Sequence, residues 1–334
     1  FKHRLSYLER LAPKQAPEKK TEKRTTLPGT DSLSWNLPEP WKKEGEYTYM
    51  RQVIVDNPIT FDDYSFCPLI PVDTRPEDLL FFDLETTGLS GGAGNICFLI
   101  GLGEIKRGGF QITQIFLSDF PGEEEFLHMI IPYFHGDRLF VSYNGKSFDS
   151  HIIRTRCVMN RMKCDIDKQY DLLHISRRLF KQVIGSCSLG DIEEKILSIY
   201  RKNDVNGFEV PDIYFQFLKT HGIEDLLRVL EHNFQDIYSL AHLFHYILSL
   251  MSPSSHPGEY CVDKGALGQL FLDYGDQRGI SLLTEAFHNG DTRAGKNISL
   301  YYKRHNQWDL AVDIWETMAR ELKSLFAVVE LAKY

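Results

Sequence analysis

The rhythm of apolar and polar positions changes near residue 77. From there LLFFDLETT, NICFLIGLGEI and FQITQIFLSDF are short β-rich apolar runs, separated by the glycine-rich joints LSGGAG and KRGG. Runs of that length with turn residues between them predict an antiparallel meander. EEEFLHMIIPYF follows with helical periodicity and acidic residues in its first turn, where the helix dipole favours them. RLFVSYNG reads as a fourth strand, and SFDSHIIRTRCVMN as a helix capped by Ser147. Further helices are predicted over SLGDIEEKILSIY, PDIYFQFLKTH and EDLLRVLEHNFQDIYSLAHLFHYILSL. The order βββαβα, with helices after it, predicts one α/β domain over 77–251, a mixed β-sheet flanked by helices.

MSPSSHPGE at 251–259 is a linker by composition. Beyond it, LGQLFLDYGDQRGISLLTEAF and ISLYYKRHNQWDLAVDIWETMA look like two versions of one helical hairpin. Aligning Asp276-Gln277 with Asn306-Gln307 gives an offset of 30 residues and puts Ile280 over Leu310. An all-α helical-repeat segment over 260–334 is expected, resembling tetratricopeptide-type repeats. A third copy begins at FAVVELAKY, where the chain stops mid-unit, which suggests truncation. At the other end, residues 1–30 carry eight Lys and Arg against three Glu, and APKQAPEKKTEKRTTLPGT has no periodicity. Residues 1–50 are read as a flexible basic leader, either a solvated linker or a tail that touches nucleic acid, and 51–76 as an extension packing on the core.

Composition narrows the class. A chain of 334 residues has room for two domains, and no apolar run reaches the ~18–20 residues of a membrane span. No membrane partner is expected. Cys67, Cys97, Cys157, Cys164, Cys187 and Cys261 lack CxxC spacing, so free thiols and a cytoplasmic location are expected rather than zinc or disulfides. A net charge of −8 argues against coating nucleic acid by bulk electrostatics, but leaves room for an acidic site that acts on it. GGAGN and GLGEIKRGG lack phosphate-loop spacing and read as hairpin turns, and the helical pair His242 and His245 is set aside.

The chemistry begins with a contradiction inside LLFFDLETTGLSGG. Asp83 and Glu85 sit two apart in an apolar strand, so both carboxylates project from one face. Two such charges about 4 Å apart repel by roughly 4 kcal/mol at an effective dielectric near 20. No Arg or Lys lies within LLFFDLETTGLSGGAGN to neutralise them. Asp149, in YNGKSFD, and Asp236, in EHNFQDIYSL, are two more acids near predicted core elements. If the four converge they form an oxygen-only cluster suited to hard divalent cations, Mg²⁺ or Mn²⁺. Two ions there would neutralise the carboxylates, activate water and stabilise the leaving oxygen of a phosphodiester.

FDLETTGL, then N-GKSFD, then HNFQD resemble, in that order, the three exonuclease motifs of the DEDD (DnaQ-like, ribonuclease H-like) superfamily. FDLETTGLSGGAGNICFLIGLG is similar to its YprB-like branch, which carries tetratricopeptide repeats after the nuclease domain. The resemblance implies a ribonuclease H-like fold and two-metal 3′–5′ exonuclease activity on single-stranded DNA or RNA. It implies Asp83, Glu85 and Asp236 as metal ligands, with Asp149 joining through water or the second ion. Thr86 and Thr87 would contact the terminal nucleotide, and Asn144 and Asn233 would hold phosphate or order the site. Arg177, Arg178 and Lys181 would either contact the phosphate backbone or lie on a solvated face. A protein partner is expected on the repeats.

Relatives place a Tyr four residues before the last Asp, or a His five before it. Here those positions hold His232 and Glu231. On a helix His232 lies about 40° from Asp236 and Glu231 about 140° away, which favours His232 for handling the attacking water. A rival reading is a catalytically silent domain that binds nucleic acid while the repeats dock a partner.

Overall fold

Two strands precede the three that the apolar runs predict. β1 (Lys42–Lys43) and β2 (Thr48–Val55) join β3 (Leu79–Thr86), β4 (Cys97–Lys106), β5 (Gly109–Leu117), β6 (Leu139–Ser142) and β7 (Gln169–Asp171) in one sheet. The structure, a computed structural model, describes residues 35–61, 64–88, 94–256 and 260–334. Sheet order is β1-β2-β5-β4-β3-β6-β7. β3, β4 and β5 form the expected meander, whereas β6 and β7 run parallel to β3. The sheet is therefore mixed, as the predicted α/β class requires.

β2 crosses the boundary expected at residue 50 and pairs along its length with β5. Trp41 and Tyr49, in the segment read as leader, are buried. Thr48 to Val55 was not legible as a strand because Arg51 and Gln52 interrupt its apolar pattern. The leader up to residue 34 lies outside the described residues.

Helices α1 (Glu123–Ile130), α2 (Asp149–Met159), α3 (Leu172–Ile184) and the single turn α4 (Leu189–Ile192) follow the strands. Ser147 does not cap α2. The N-cap position falls on Phe148, and Ser147 instead closes a turn through its N–H to the Asn144 carbonyl at 3.2 Å. The segment SLGDIEEKIL does not run on as one helix: after α4 it widens into a π-helical turn, Glu193–Leu197, ended by Ser198 in the left-handed region. Then come α5 (Val210–Thr220) and the long α6 (Glu224–Met251).

Both sheet faces are covered, and β3 shows how. Leu80, Phe82 and Leu84 point into a core shared with Phe126 of α1 and with Tyr214 and Phe217 of α5. Leu79 and Phe81 point the other way, into a core built on Ile237, Leu240 and Phe244 of α6. Period-2 alternation therefore sends Asp83 and Glu85 to the α6 face, continuing the line of Leu79 and Phe81.

Glycines bring that helix close. Gly101 and Gly103 belong to the middle of β4, not to a turn. A Cβ at Gly101 would lie 2.6 Å from Asn233 Oδ1 and from Ile237 Cγ1, and one at Gly103 would lie 2.8 Å from Ile237 Cγ2. Only the Arg107–Gly109 part of GLGEIKRGG makes the hairpin, with Gly108 and Gly109 at positive φ. Residues 89–93 of the other glycine-rich joint lie outside the described set.

After Met251 come α7 (Lys264–Asp273), α8 (Arg278–His288), α9 (Thr292–Arg304), α10 (Trp308–Arg320) and α11 (Leu325–Lys333). Each packs on the next, and α8 and α10 begin at the expected offset. Asp263 and Asp291 cap α7 and α9 in the same way, accepting from the N–H groups of Ala266 and Ala294. Arg178 of α3, read as either a phosphate contact or a solvated-face residue, pairs with Asp273 of α7 at 2.5 Å. No helix among the described residues is long and apolar enough to cross a membrane.

Candidate active site

β3 pairs with β6 only through Leu79–Phe81, so its last residues run on beyond the end of its parallel neighbour. Asp83 and Glu85 lie on this stretch, and a β-bulge at Glu85/Thr86 shifts the pairing with β4. Bulges re-aim side chains and are common beside active sites. The chain leaving β6 turns at Asn144, whose φ is +65°, and enters α2 at Asp149, which is buried. Asp171 holds the turn: its carboxylate accepts from the N–H of Asn144 at 2.8 Å and of Lys146 at 3.2 Å, and also caps α3 through Leu173 N–H.

α6 supplies the opposite wall. Apolar contacts between Phe81 and Phe244 give way along the helix to polar ones around Asp83 and Glu85. Asn233, fully buried, donates from Nδ2 to Asp83 Oδ2 at 3.0 Å and accepts from Gln114 Nε2 at 3.0 Å. Asn233 is thus held between β3 and β5 by protein partners on both sides. His232 and Asp236 share one side of the helix, with His232 Nε2 at 3.3 Å from Asp236 Oδ2 and 4.0 Å from Glu85 Oε1. Glu231 points elsewhere and pairs with Arg51 at 3.2 Å.

Glu85, His232 and Asp236 each offer a ligand atom within 4.8 Å of the others, a donor set that fits a divalent cation. Asp83 and Asp149 stand outside that triangle and feel it through charge. Burial pushes the Asp83 carboxyl well above its ordinary value, and Asp236, Asp149 and Glu85 push it further. Glu85 is raised to about 8 by burial, with Asp236 and Asp149 adding to the shift and His232 opposing it. Asp149 is raised to about 8 by burial, then by Asp171 and Asp236. Burial would lower the His232 pKa, but Asp236, Glu85 and Asp204 outweigh it and raise it. Titratable groups pushed in this way are concentrated at functional sites.

Thr86 and Thr87 follow Glu85 at the end of β3, each with its hydroxyl engaged. Thr86 Oγ1 donates to the Gly88 carbonyl at 2.8 Å, and Thr87 Oγ1 accepts from Ile96 N–H at 3.0 Å. A cleft of about 250 Å³ opens there, lined by Glu85, Thr86, Asn144, Phe148 and Pro211 among others. A second, of about 430 Å³, lies beside His232 and is lined by Tyr200, Arg201 and Asp204 among others.

Three charged residues of this site gave no signal in the sequence. Arg201 reaches in from the loop after the π-helical turn and pairs with Asp236 and with Glu193 of that turn. Asp204, on the same loop, lies 2.6 Å from His232 Nδ1. Reading charge only within the β3 stretch missed Arg201, because a cation more than a hundred residues away has no periodic relation to that strand.

The sequence profile of the RNase_H superfamily matches residues 80–248, about half of the chain. The uncharacterized protein YprB of Bacillus subtilis (strain 168) is 32% identical over 323 residues, 89% of this chain and 78% of the relative. The chain belongs to the RNase H superfamily. The superfamily match runs from β3 nearly to the end of α6 and contains Asp83, Glu85, Asp149, His232 and Asp236. Among solved structures, the family B DNA polymerase from the hyperthermophilic archaeon Pyrobaculum calidifontis is 14% identical at a TM-score of 0.42, over 58% of this chain and 28% of that one. E. coli Exonuclease I in complex with a dT13 oligonucleotide is 17% identical at a TM-score of 0.31, over 46% and 43%. The chain thus spans less than half the length of either protein.

Proposed function

We propose that the chain is a divalent-metal-dependent nuclease of the DEDD type, which removes nucleotides from the 3′ end of single-stranded DNA or RNA. One observation carries the reading: Glu85, His232 and Asp236 converge within 4.8 Å beside Asp83, which Asn233 orients. In the proposal, Asp83, Glu85, Asp236 and Asp149 hold two ions, Mg²⁺ or Mn²⁺. When bound, the ions neutralise the carboxylates and lower the pKa of water near the scissile phosphate.

The rest falls to the chain itself. We assign one ring proton of His232 to Nδ1, which faces Asp204 Oδ1 at 2.6 Å. Nε2 is assigned the task of taking the proton of the attacking water, once bound ions offset the neighbouring carboxylates that otherwise favour the imidazolium. Asn233 keeps the Asp83 carboxylate facing its neighbours. The cleft lined by Thr86, Asn144 and Phe148 is assigned to the terminal nucleotide, with the half-buried Phe148 ring as a stacking surface. Helices α7–α11 are assigned to tetratricopeptide-type repeats that dock a protein partner.

The test is incubation of the purified chain with 5′-labelled single-stranded DNA and RNA oligomers, with Mg²⁺, with Mn²⁺ or with EDTA, beside the Asp83→Ala variant. A metal-dependent ladder shortening from the 3′ end, absent in the variant, is expected. Binding without cleavage under either metal would sink the enzyme reading in favour of a silent binding domain.

A further inference from the structure

Arg201 lies at the Asp236 side of the acidic cluster, its side chain 11% exposed. Four of its five N–H groups face carboxylate oxygens. Nε and Nη2 donate to the two carboxylate oxygens of Glu193 at 2.5 and 2.7 Å, Nη2 donates also to Asp236 Oδ1, and Nη1 lies 3.4 Å from Asp204 Oδ2. The remaining approach, Nη1 to His232 Nδ1 at 2.9 Å, is no hydrogen bond once the Nδ1 proton goes to Asp204. With Nε and Nη2 spent on Glu193 and Asp236, the guanidinium keeps no bidentate edge for a phosphate. Glu193 is 1% exposed and fixed within the π-helical turn, so the cation is held from behind.

A cation fixed in that place has one evident task. In the absence of metal, Asp83, Glu85, Asp149 and Asp236 face one another in a low-dielectric wall, where uncompensated charge is costly. Arg201 engages Asp236 through Oδ1, while Oδ2 faces His232 and the Glu85/His232/Asp236 triangle. We infer that Arg201 is a tethered counter-ion, which holds the carboxylate cluster together without metal and competes with a divalent cation for the charge of Asp236. This rests on the metal reading of the site given above. Linkage makes the two effects one: whatever stabilises the metal-free state more than the metal-bound state weakens metal binding by the same factor. The tether thus sets metal affinity below what the carboxylates alone would give.

The test compares the full chain with Arg201→Gln and with Arg201→Lys, which keeps the charge. Mn²⁺ affinity is measured by titration calorimetry, and thermal melting is followed in EDTA and in excess Mn²⁺. Arg201→Gln is expected to melt lower than the unaltered chain in EDTA, to recover in Mn²⁺, and to bind Mn²⁺ at least ~10-fold more tightly, as removal of a unit charge beside the site at an effective dielectric of ~20 requires. Arg201→Lys should bind Mn²⁺ within about 3-fold of the unaltered chain, because the charge is what competes. A glutamine variant that folds only with Mn²⁺ also supports the inference, since the ion then replaces the guanidinium. Equal or weaker Mn²⁺ binding by a folded Arg201→Gln overturns it, as does a variant that folds under neither condition. If the unaltered chain itself binds no Mn²⁺, the inference falls together with the metal reading beneath it.

Discussion

His232 Nδ1 lies 2.6 Å from Asp204 Oδ1, while Nε2 of the same ring lies 3.3 Å from Asp236 Oδ2. One end of the imidazole is held by a carboxylate on a loop and the other faces the acidic cluster. An imidazole anchored in this way presents a fixed tautomer and a fixed direction.

Removing the anchor should therefore slow turnover without weakening substrate binding. Asp204→Ala is expected to lower kcat by roughly 10- to 100-fold, the range for losing a group that orients a histidine, with KM changed less than about 2-fold. Steady-state cleavage of a labelled oligomer checks it. His232→Ala should cost more than Asp204→Ala, and should lower turnover far more than Mn²⁺ affinity. Glu231→Ala should cost little, because Glu231 is paired with Arg51 on the outside of the helix. A larger loss from Glu231→Ala would mean that the water is handled from the wrong face of α6 for this scheme.

The acids also set a pH dependence in metal-free buffer. Glu85 and Asp149 are raised to about 8 in the folded chain, and Asp83 is raised as well. Unfolded carboxyls ionise near pH 4, so between about pH 4 and 8 the folded state holds protons that the unfolded state has released. A group raised in this way contributes fully below its unfolded pKa, and its contribution is lost as pH rises through the folded one. In EDTA the stability should therefore fall across that window, by about 1.4 kcal/mol per pH unit for each group still protonated. Glu85→Gln should flatten the slope and melt higher than the unaltered chain at pH 8. Denaturant melts at several pH values read both effects, and a flat profile in EDTA would show that the acids are already ionised without penalty.

Much of this site is written locally in the sequence. The β3 pair is legible because period 2 fixes its face, and His232 with Asp236 because four residues on a helix return to the same side. The meander and the long α6 declare themselves by pattern. What eludes a linear reading is held by contacts across the fold. β2 is a strand because β5 offers it a partner edge, despite the polar residues at 51 and 52. Asp204 and Arg201 stand on a loop of no periodicity, and Glu193 acquires its place only when the helix widens into a π-turn. Gly101 and Gly103 read as turn residues, and their reason is visible only from α6 above them.

Asn233 couples that helix to the strand. It is fully buried between Gln114 and Asp83, so a carboxylate in its place would face Asp83 with no water to separate them. Asn233→Asp should destabilise the metal-free chain by about 2–4 kcal/mol, as expected for an uncompensated charge in a buried pair, and more at pH 8 than at pH 5. Urea melts in EDTA at both pH values test it. Equal stability of the two proteins would mean that the asparagine carries no orienting load.

The close approach of α6 to β4 gives a prediction from sterics alone. An ideal Cβ at Gly101 would meet Asn233 Oδ1 and Ile237 Cγ1 at 2.6 Å, closer than real Cβ contacts are found, so these packed side chains, or the helix that carries them, must shift. Both neighbours belong to the rigid wall that carries His232 and Asp236. Gly101→Ala should cost about 1–3 kcal/mol through overpacking, and should also lower kcat, because a displacement of α6 moves His232 away from Glu85. Gly190 is the control: a Cβ there meets nothing within 4 Å and its φ is not positive, so Gly190→Ala should melt within about 1 kcal/mol of the unaltered chain with unchanged turnover. Urea melts and initial cleavage rates on the two variants decide the matter. If Gly101→Ala is as stable and active as Gly190→Ala, then the spacing of helix and strand is not what positions the site.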